Sequence, residues 1–240
     1  MRYILIIFAF FVTALHSFDQ SHSKFDGLLK KYVQNGLVSY IGFQKDREGL
    51  KKYLEELSSV SQSEYNGFSR EDKMAFLINA YNAYTIELIL KNYPLKSIRK
   101  IGFLPGAAWK EKFFRLLGEE RNLDWIEHSR LRVDFGEPRI HFTVVCASIG
   151  CPHLQSEVYT GKNLSTQMEN AAARFLNDSK KNYYSEKDNT LYISSIFDWF
   201  RKDFEKPGLI PFLRSYMKAK IPDNARIKYT EYDWSLNERK

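Results

Sequence analysis

The chain has 240 residues, of which 44% are hydrophobic, 27% charged and 15% aromatic, which suits a globular chain with a sizeable core and excludes disorder as a global description. Twelve glycines and seven prolines exclude collagen-like and proline-rich classes, and there is no solenoid-period repeat or low-complexity tract. The net charge of +7 is scattered as doublets such as Lys30-Lys31, Lys51-Lys52, Arg99-Lys100 and Lys180-Lys181, without the one-sided basic face that nucleic acid requires, so no nucleic-acid partner is expected.

The chain opens with Arg2 and an apolar run from Tyr3 to Leu15. The run is shorter than the ~20 residues of a spanning helix, and Val12-Thr13-Ala14 has the small residues of a cleavage site. Residues 1–14 therefore read as a signal peptide. The expected localisation is periplasmic or secreted, with no stable membrane span once the leader is removed. In such an oxidising compartment the two cysteines, Cys146 and Cys151, can pair.

In chain order, apolar spacing predicts helices over 23–35, stopped by Gly36, and over 46–58. The longest helix is predicted over 69–92, with Ser69 and Asp72 as a capping-box variant and Pro94 beyond its end. A short helix is expected near 121–131. Arg139 to Cys146 (RIHFTVVC) is β-branched and aromatic and predicts a buried strand. Helix 163–177 and a hairpin over 182–194, turning at Asp188-Asn189, follow. Helices over 195–204 and 208–219 and a strand over 226–230 complete the chain. Helices before and after a few strands, without regular alternation, indicate an α+β fold: a single domain, mostly helical with a small sheet.

Three of the histidines (His128, His141 and His153) and both cysteines fall between residues 128 and 153. Three chemistries fit that window. In a thiol hydrolase or acyltransferase, Cys146 attacks an amide or ester carbonyl and His128 serves as base. Asn79 or the N–H groups of the 147–150 loop would hold the oxyanion, and Glu127 would supply a further carboxylate. On a regular strand His141 and Cys146 point to opposite faces, which disfavours His141 as the base. A zinc site could draw on Cys146, Cys151 and His153, with His128 or His141 as a fourth ligand, but C-x4-C-x-H is not a common zinc spacing, and no metal or cofactor is assigned. The third chemistry is a disulfide between Cys146 and Cys151, in a non-enzymatic module that binds a small-molecule, peptide or partner ligand. Asn79 and Asn82 lie three apart on one helix face, where tying the helix to loop backbone is a stronger expectation than catalysis. Near the C-terminus, Trp234 is expected to dock in the core and Asp233 to pair with a base or cap backbone.

FLINAYNAYT (76–85), WIEHSRLR (125–132), PRIHFTVVCASIGCPHL (138–154) and YDWSLN (232–237) together resemble the family catalogued as domain of unknown function 547. The resemblance runs from about residue 25 to 237. It implies that Asn79, Asn82, Glu127, His128, His141, Cys146 and Asp233 belong to one design. It also implies kinship with exported or membrane-associated bacterial proteins and with parts of larger plant proteins. His153 departs from the pattern, where a second proline is expected.

Overall fold

The computed structural model describes residues 17–240; the apolar leader lies outside the described residues. α1 (Ser23–Tyr32) buries Phe25, Leu28 and Leu29 and ends three residues short of the predicted end at residue 35. The chain instead turns back as β1 (Val33–Gln34) and β2 (Leu37–Val38). Asn35 and Gly36, with φ of 51° and 80°, supply the left-handed pair that a tight hairpin needs. α2 (Tyr40–Lys45), α3 (Arg47–Ser59) and α4 (Gln62–Gly67) then pack beside it.

α5 (Arg70–Asn92) is the central element. Its start follows the predicted capping: the Ser69 hydroxyl accepts from the Asp72 N–H at 3.0 Å and donates to the Asp72 carboxylate at 2.6 Å. Residues from Met74 to Leu90 are almost all buried, so α5 is apolar around its whole circumference, as a helix enclosed by other elements must be. α6 (Ala107–Lys110) and a hairpin of β3 (Phe114–Leu116) and β4 (Glu119–Arg121) follow, the latter not predicted. The helix expected near 121–131 is present as a π-helical stretch, Trp125–Leu131, that runs on into α7 (Arg132–Phe135).

The predicted strand at 139–146 is overturned. Pro138–Phe142 is a 3-10 turn, followed by irregular backbone to Cys146. Pro138 sits in its first turn, and the Glu137 carboxylate accepts from the Arg139 N–H at 3.1 Å, so local capping outweighs the β-branched composition that follows. A strand would place Ile140 and Phe142 on one face. The turn sends them into different cores.

α8 (Leu164–Leu176), β5 (Tyr183–Ser185) and β6 (Thr190–Ser194) match their predictions. α9 (Ile196–Trp199), a 3-10 turn (Arg201–Phe204) and α10 (Leu209–Tyr216) make the crossover by which β7 (Arg226–Thr230) joins β6 in parallel, Leu191 opposite Ile227. With helices dominant and the strands confined to small sheets, the fold is α+β.

Two hydrophobic clusters result. The larger surrounds α5 and includes Phe25, Tyr53, Phe76, Ile140 and Leu236. The smaller gathers Phe142, Phe175, Leu191, Phe197, Phe204 and Phe212. The C-terminal segment laces the 147–150 loop between them: Ile149 N–H donates to Ser235 C=O and Gly150 N–H to Asp233 C=O, both at 2.8 Å.

Candidate functional site

A cleft enclosing about 740 Å³, its open mouth included, lies where the two clusters meet. The π-helical stretch gives it Glu127 and His128, the 3-10 turn His141, and the irregular backbone after it Val144 and Cys146. Aromatic walls come from Tyr81 of α5, Trp109 of α6, Trp199 and Phe200 around the end of α9, and Tyr232 and Trp234 of the C-terminal segment. The last group is contiguous: Trp234 stacks on Trp199 at 5.6 Å, and Tyr232 packs against both.

Cys146 and Cys151 form a disulfide with Cα atoms 6.2 Å apart, and both line the cleft. The sulfurs are held by hydroxyls. Tyr232 O–H lies 3.2 Å from Cys146 Sγ and 3.0 Å from Cys151 Sγ, and Ser148 O–H lies 3.1 Å from Cys146 Sγ. Burial pushes the Tyr232 phenol far above its ordinary value, so it stays a hydrogen-bond donor. Gly150 is needed beneath it, because a Cβ there would meet the Tyr232 ring at 2.9 Å.

No imidazole hydrogen-bonds either sulfur among the described residues. His128 is turned along its own helix, with Nδ1 3.3 Å from Arg132 Nη1 and Nε2 3.7 Å from Asp124 Oδ1. His141 is buried, stacks on Phe200 at 4.1 Å, and places Nε2 2.7 Å from Asp203 Oδ2. Arg132 donates to both oxygens of the same carboxylate, at 2.6 and 2.9 Å. Burial alone would raise the Asp203 carboxyl, but the hydrogen bonds from His141 and Arg132 outweigh it and hold it well below the usual range.

Glu127 is buried yet has no Lys, Arg or His within ion-pair distance among the described residues. It faces the Tyr81 phenol, which burial and the facing carboxylate keep far above its ordinary value and therefore protonated. Lys110, at the rim, is exposed and makes no ion pair among the described residues.

Of the sequence-predicted site residues, Glu127, His128, His141 and Cys146 meet in the cleft. Asn79, Asn82 and Asp233 do not line it. Asn79 donates to Tyr159 C=O at 2.7 Å and accepts from Tyr159 N–H at 3.0 Å, which corrects its assignment to an oxyanion. Asn82 makes the same two-point bond to Thr143 C=O and Val145 N–H. Asp233 caps backbone, accepting from Ser235 N–H at 2.8 Å. Within the 147–150 loop the N–H groups of Ile149 and Gly150 are taken by the C-terminal segment and do not face an oxyanion as the loop stands.

Sequence reasoning missed Tyr81, Trp109, Trp199, Phe200 and Asp203. Only Tyr81 had a signal, its place between the two asparagines of FLINAYNAYT. Among the described residues no three His, Cys, Asp or Glu side chains gather to hold a metal ion.

The family model described as "Protein of unknown function, DUF547" matches residues 65–176. That segment belongs to the DUF547 family. The match is narrower than the span of the resemblance: it takes in Asn79, Asn82, Glu127, His128, His141 and Cys146 and stops short of Tyr232, Asp233 and Trp234. No curated protein and no solved structure matches the chain.

Proposed function

We propose that the chain is a ligand-binding protein whose cleft takes a small molecule or peptide segment carrying a cationic group, with the Cys146–Cys151 disulfide as a structural brace. One observation carries this reading: the buried Glu127 carboxylate has no ion-pair partner among the described residues, in a cleft walled by Tyr81, Trp109, Trp199, Tyr232 and Trp234. Taking a carboxylate out of water costs several kcal/mol unless an opposite charge meets it, and aromatic faces attract the same cations. Site and walls therefore call for one kind of ligand. Three of the four tryptophans line the cleft, so their fluorescence reports its occupancy. Choline should quench it saturably, whereas its neutral isostere 3,3-dimethylbutan-1-ol should bind about tenfold more weakly, and Glu127→Gln should remove that preference. Equal affinity for the two compounds in the wild type would refute the reading.

A second reading, the thiol-dependent hydrolase or acyltransferase, draws on the half-buried position of Cys146 in the same cleft. It requires the disulfide to be reduced and the His128 ring to turn from Arg132 and Asp124 toward the freed thiol. We also read the chain as exported, to a periplasm or outside the cell. The paired state of its only two cysteines supports this, because oxidising compartments preserve such bonds.

A further inference from the structure

The segment after α5 carries an exposed apolar tip. Phe103 is fully exposed and its neighbour Leu104 is 75% exposed, whereas the flanking Ile101 and Ala108 are buried. The tip is constructed rather than slack. Gly102 and Gly106 bracket it with φ of 76° and 77°, and Ala107 N–H closes the turn on Leu104 C=O at 3.0 Å. A Cβ at Gly102 would meet the Ala107 side chain at 2.5 Å, so the turn depends on that glycine. Two adjacent large apolar side chains are thereby held outward at a cost in hydration that the fold itself does not recover.

The charge around the tip is one-sided. Lys96, Arg99, Lys100, Lys110 and Lys112 are all exposed, and none is in an ion pair among the described residues. Within this stretch Glu111 is the only acidic residue, and Glu231 and Asp233 border the shallow groove shared with Lys96, Arg99 and Lys100. Positive charge remains in excess. No helix among the described residues is long and apolar enough to cross a membrane, so any membrane contact by this region would be peripheral.

We infer that the 96–112 segment is a membrane-docking site for anionic lipid, in which Phe103 and Leu104 enter the acyl boundary and the surrounding lysines and Arg99 meet the headgroups. Charge complementarity selects the occupant: an uncharged apolar partner would leave unused four lysines that pair with nothing among the described residues, beside Arg99, whose guanidinium lies 5.2 Å over the Trp234 ring, and an anionic surface uses both halves of the patch. Gly106, Trp109 and Lys110 also line the cleft, so docking would bring a wall of the cleft to the lipid surface. The inference does not depend on what the cleft binds.

The test uses the full chain with Pro105→Cys, alkylated without reductant by a nitrobenzoxadiazole fluorophore, so that the label reports insertion of the tip itself and not of any other segment. Vesicles of phosphatidylcholine with phosphatidylglycerol should shift its emission to the blue, and phosphatidylcholine alone should not. Adding Phe103→Ser and Leu104→Ser should abolish the shift. The exposed pair Lys96→Gln and Lys100→Gln should weaken partitioning roughly thirtyfold, at about a fivefold loss for each charge near the surface. An unchanged emission, even with protein bound to the vesicles, overturns the proposal. So does an equal shift on both vesicle types, or a shift that survives the serine substitutions. Capture of an acidic polypeptide by this segment without any response to lipid would likewise overturn it, in favour of a protein partner.

Discussion

The interior of the larger cluster and the seam between the two clusters are both held by polar side chains, but of different kinds. Around α5 the ties are neutral and two-pointed: Asn79 grips both backbone groups of Tyr159, and Asn82 grips Thr143 and Val145. At the seam the tie is charged, with Asp203 from the smaller cluster's 3-10 turn receiving Arg132 and His141. The difference follows from water. The asparagines and their partners are fully enclosed, where a neutral amide is the cheapest way to satisfy backbone. Asp203 and Arg132 are partly exposed beside an open cleft, where an ion pair keeps some of its hydration.

The sharpest way to break this comparison is to remove one member of each kind. Asn82→Leu leaves Thr143 C=O and Val145 N–H buried without partners, and each unsatisfied group costs about 1–3 kcal/mol, so the variant should lose about 2–6 kcal/mol. Asp203→Asn keeps the shape and a hydrogen bond at a site that water reaches, and should lose less. Urea unfolding of both variants at neutral pH decides the matter. A larger loss from Asp203→Asn would mean that the seam, not the enclosed helix, carries the fold.

The two regions should also separate by pH. In the larger cluster His22 is buried against Tyr53 and Phe76, its Nδ1 2.6 Å from the Tyr53 hydroxyl, and burial brings its pKa down from 6.5 to about 4. The unfolded chain binds the proton first as pH falls, so stability present above 6.5 is lost between 6.5 and about 4, by about 3 kcal/mol. His153, lowered by burial and by the Lys181 charge, adds in the same direction. Asp203 acts in the same direction but lower on the scale. Its carboxyl lies below the ordinary 3.8, so its contribution is intact above that value and lost as pH falls below it. His22→Asn, which tolerates the left-handed φ of 50°, should flatten the upper limb, and Asp203→Asn only the lower one. Urea midpoints from pH 7.5 down to about 3 separate the limbs, and a single limb moved by both variants would show that the regions do not unfold as distinct electrostatic units.

What the sequence made legible was what local chemistry sets. Ser69 and Asp72 mark the start of α5 because the cap is made within four residues, and β6 and β7 are found where β-branched runs end in turns. The 138–146 segment was misread because a continuous apolar run has no period: Ile140 and Phe142 are buried for separate reasons, one in each cluster. The Glu137-Pro138 pair was the available signal for a helical turn. The concentration of histidine and cysteine did locate the cleft, since Glu127, His128, His141 and Cys146 all reach it. Trp109, Trp199, Phe200 and Asp203 were not legible, because they come from α6, α9 and the residues after it, segments brought there by the tertiary fold. Nor could spacing alone decide whether Cys146 attacks, ligates or pairs, because C-x4-C permits all three.

The disulfide gives the smallest expected effect and bears most directly on the choice between the two readings of the cleft. Closing so short a loop restrains the unfolded chain by about 2 kcal/mol in the chain-entropy account, less than the loss expected from Asn82→Leu. Intact mass after alkylation without reductant should show no added label, and two labels after reduction, with the stability falling by about that amount. The reduced protein then separates brace from nucleophile. A bracing cysteine, released beside the Tyr232 and Ser148 hydroxyls with no imidazole hydrogen-bonded to it among the described residues, should be alkylated with the pH dependence of an ordinary thiol, near 8.5. Rapid alkylation well below that value, abolished by His128→Ala, would require the imidazole to have turned to Cys146. That result would restore thiol chemistry to the cleft, whereas an ordinary thiol leaves Glu127 and the aromatic walls as its working parts.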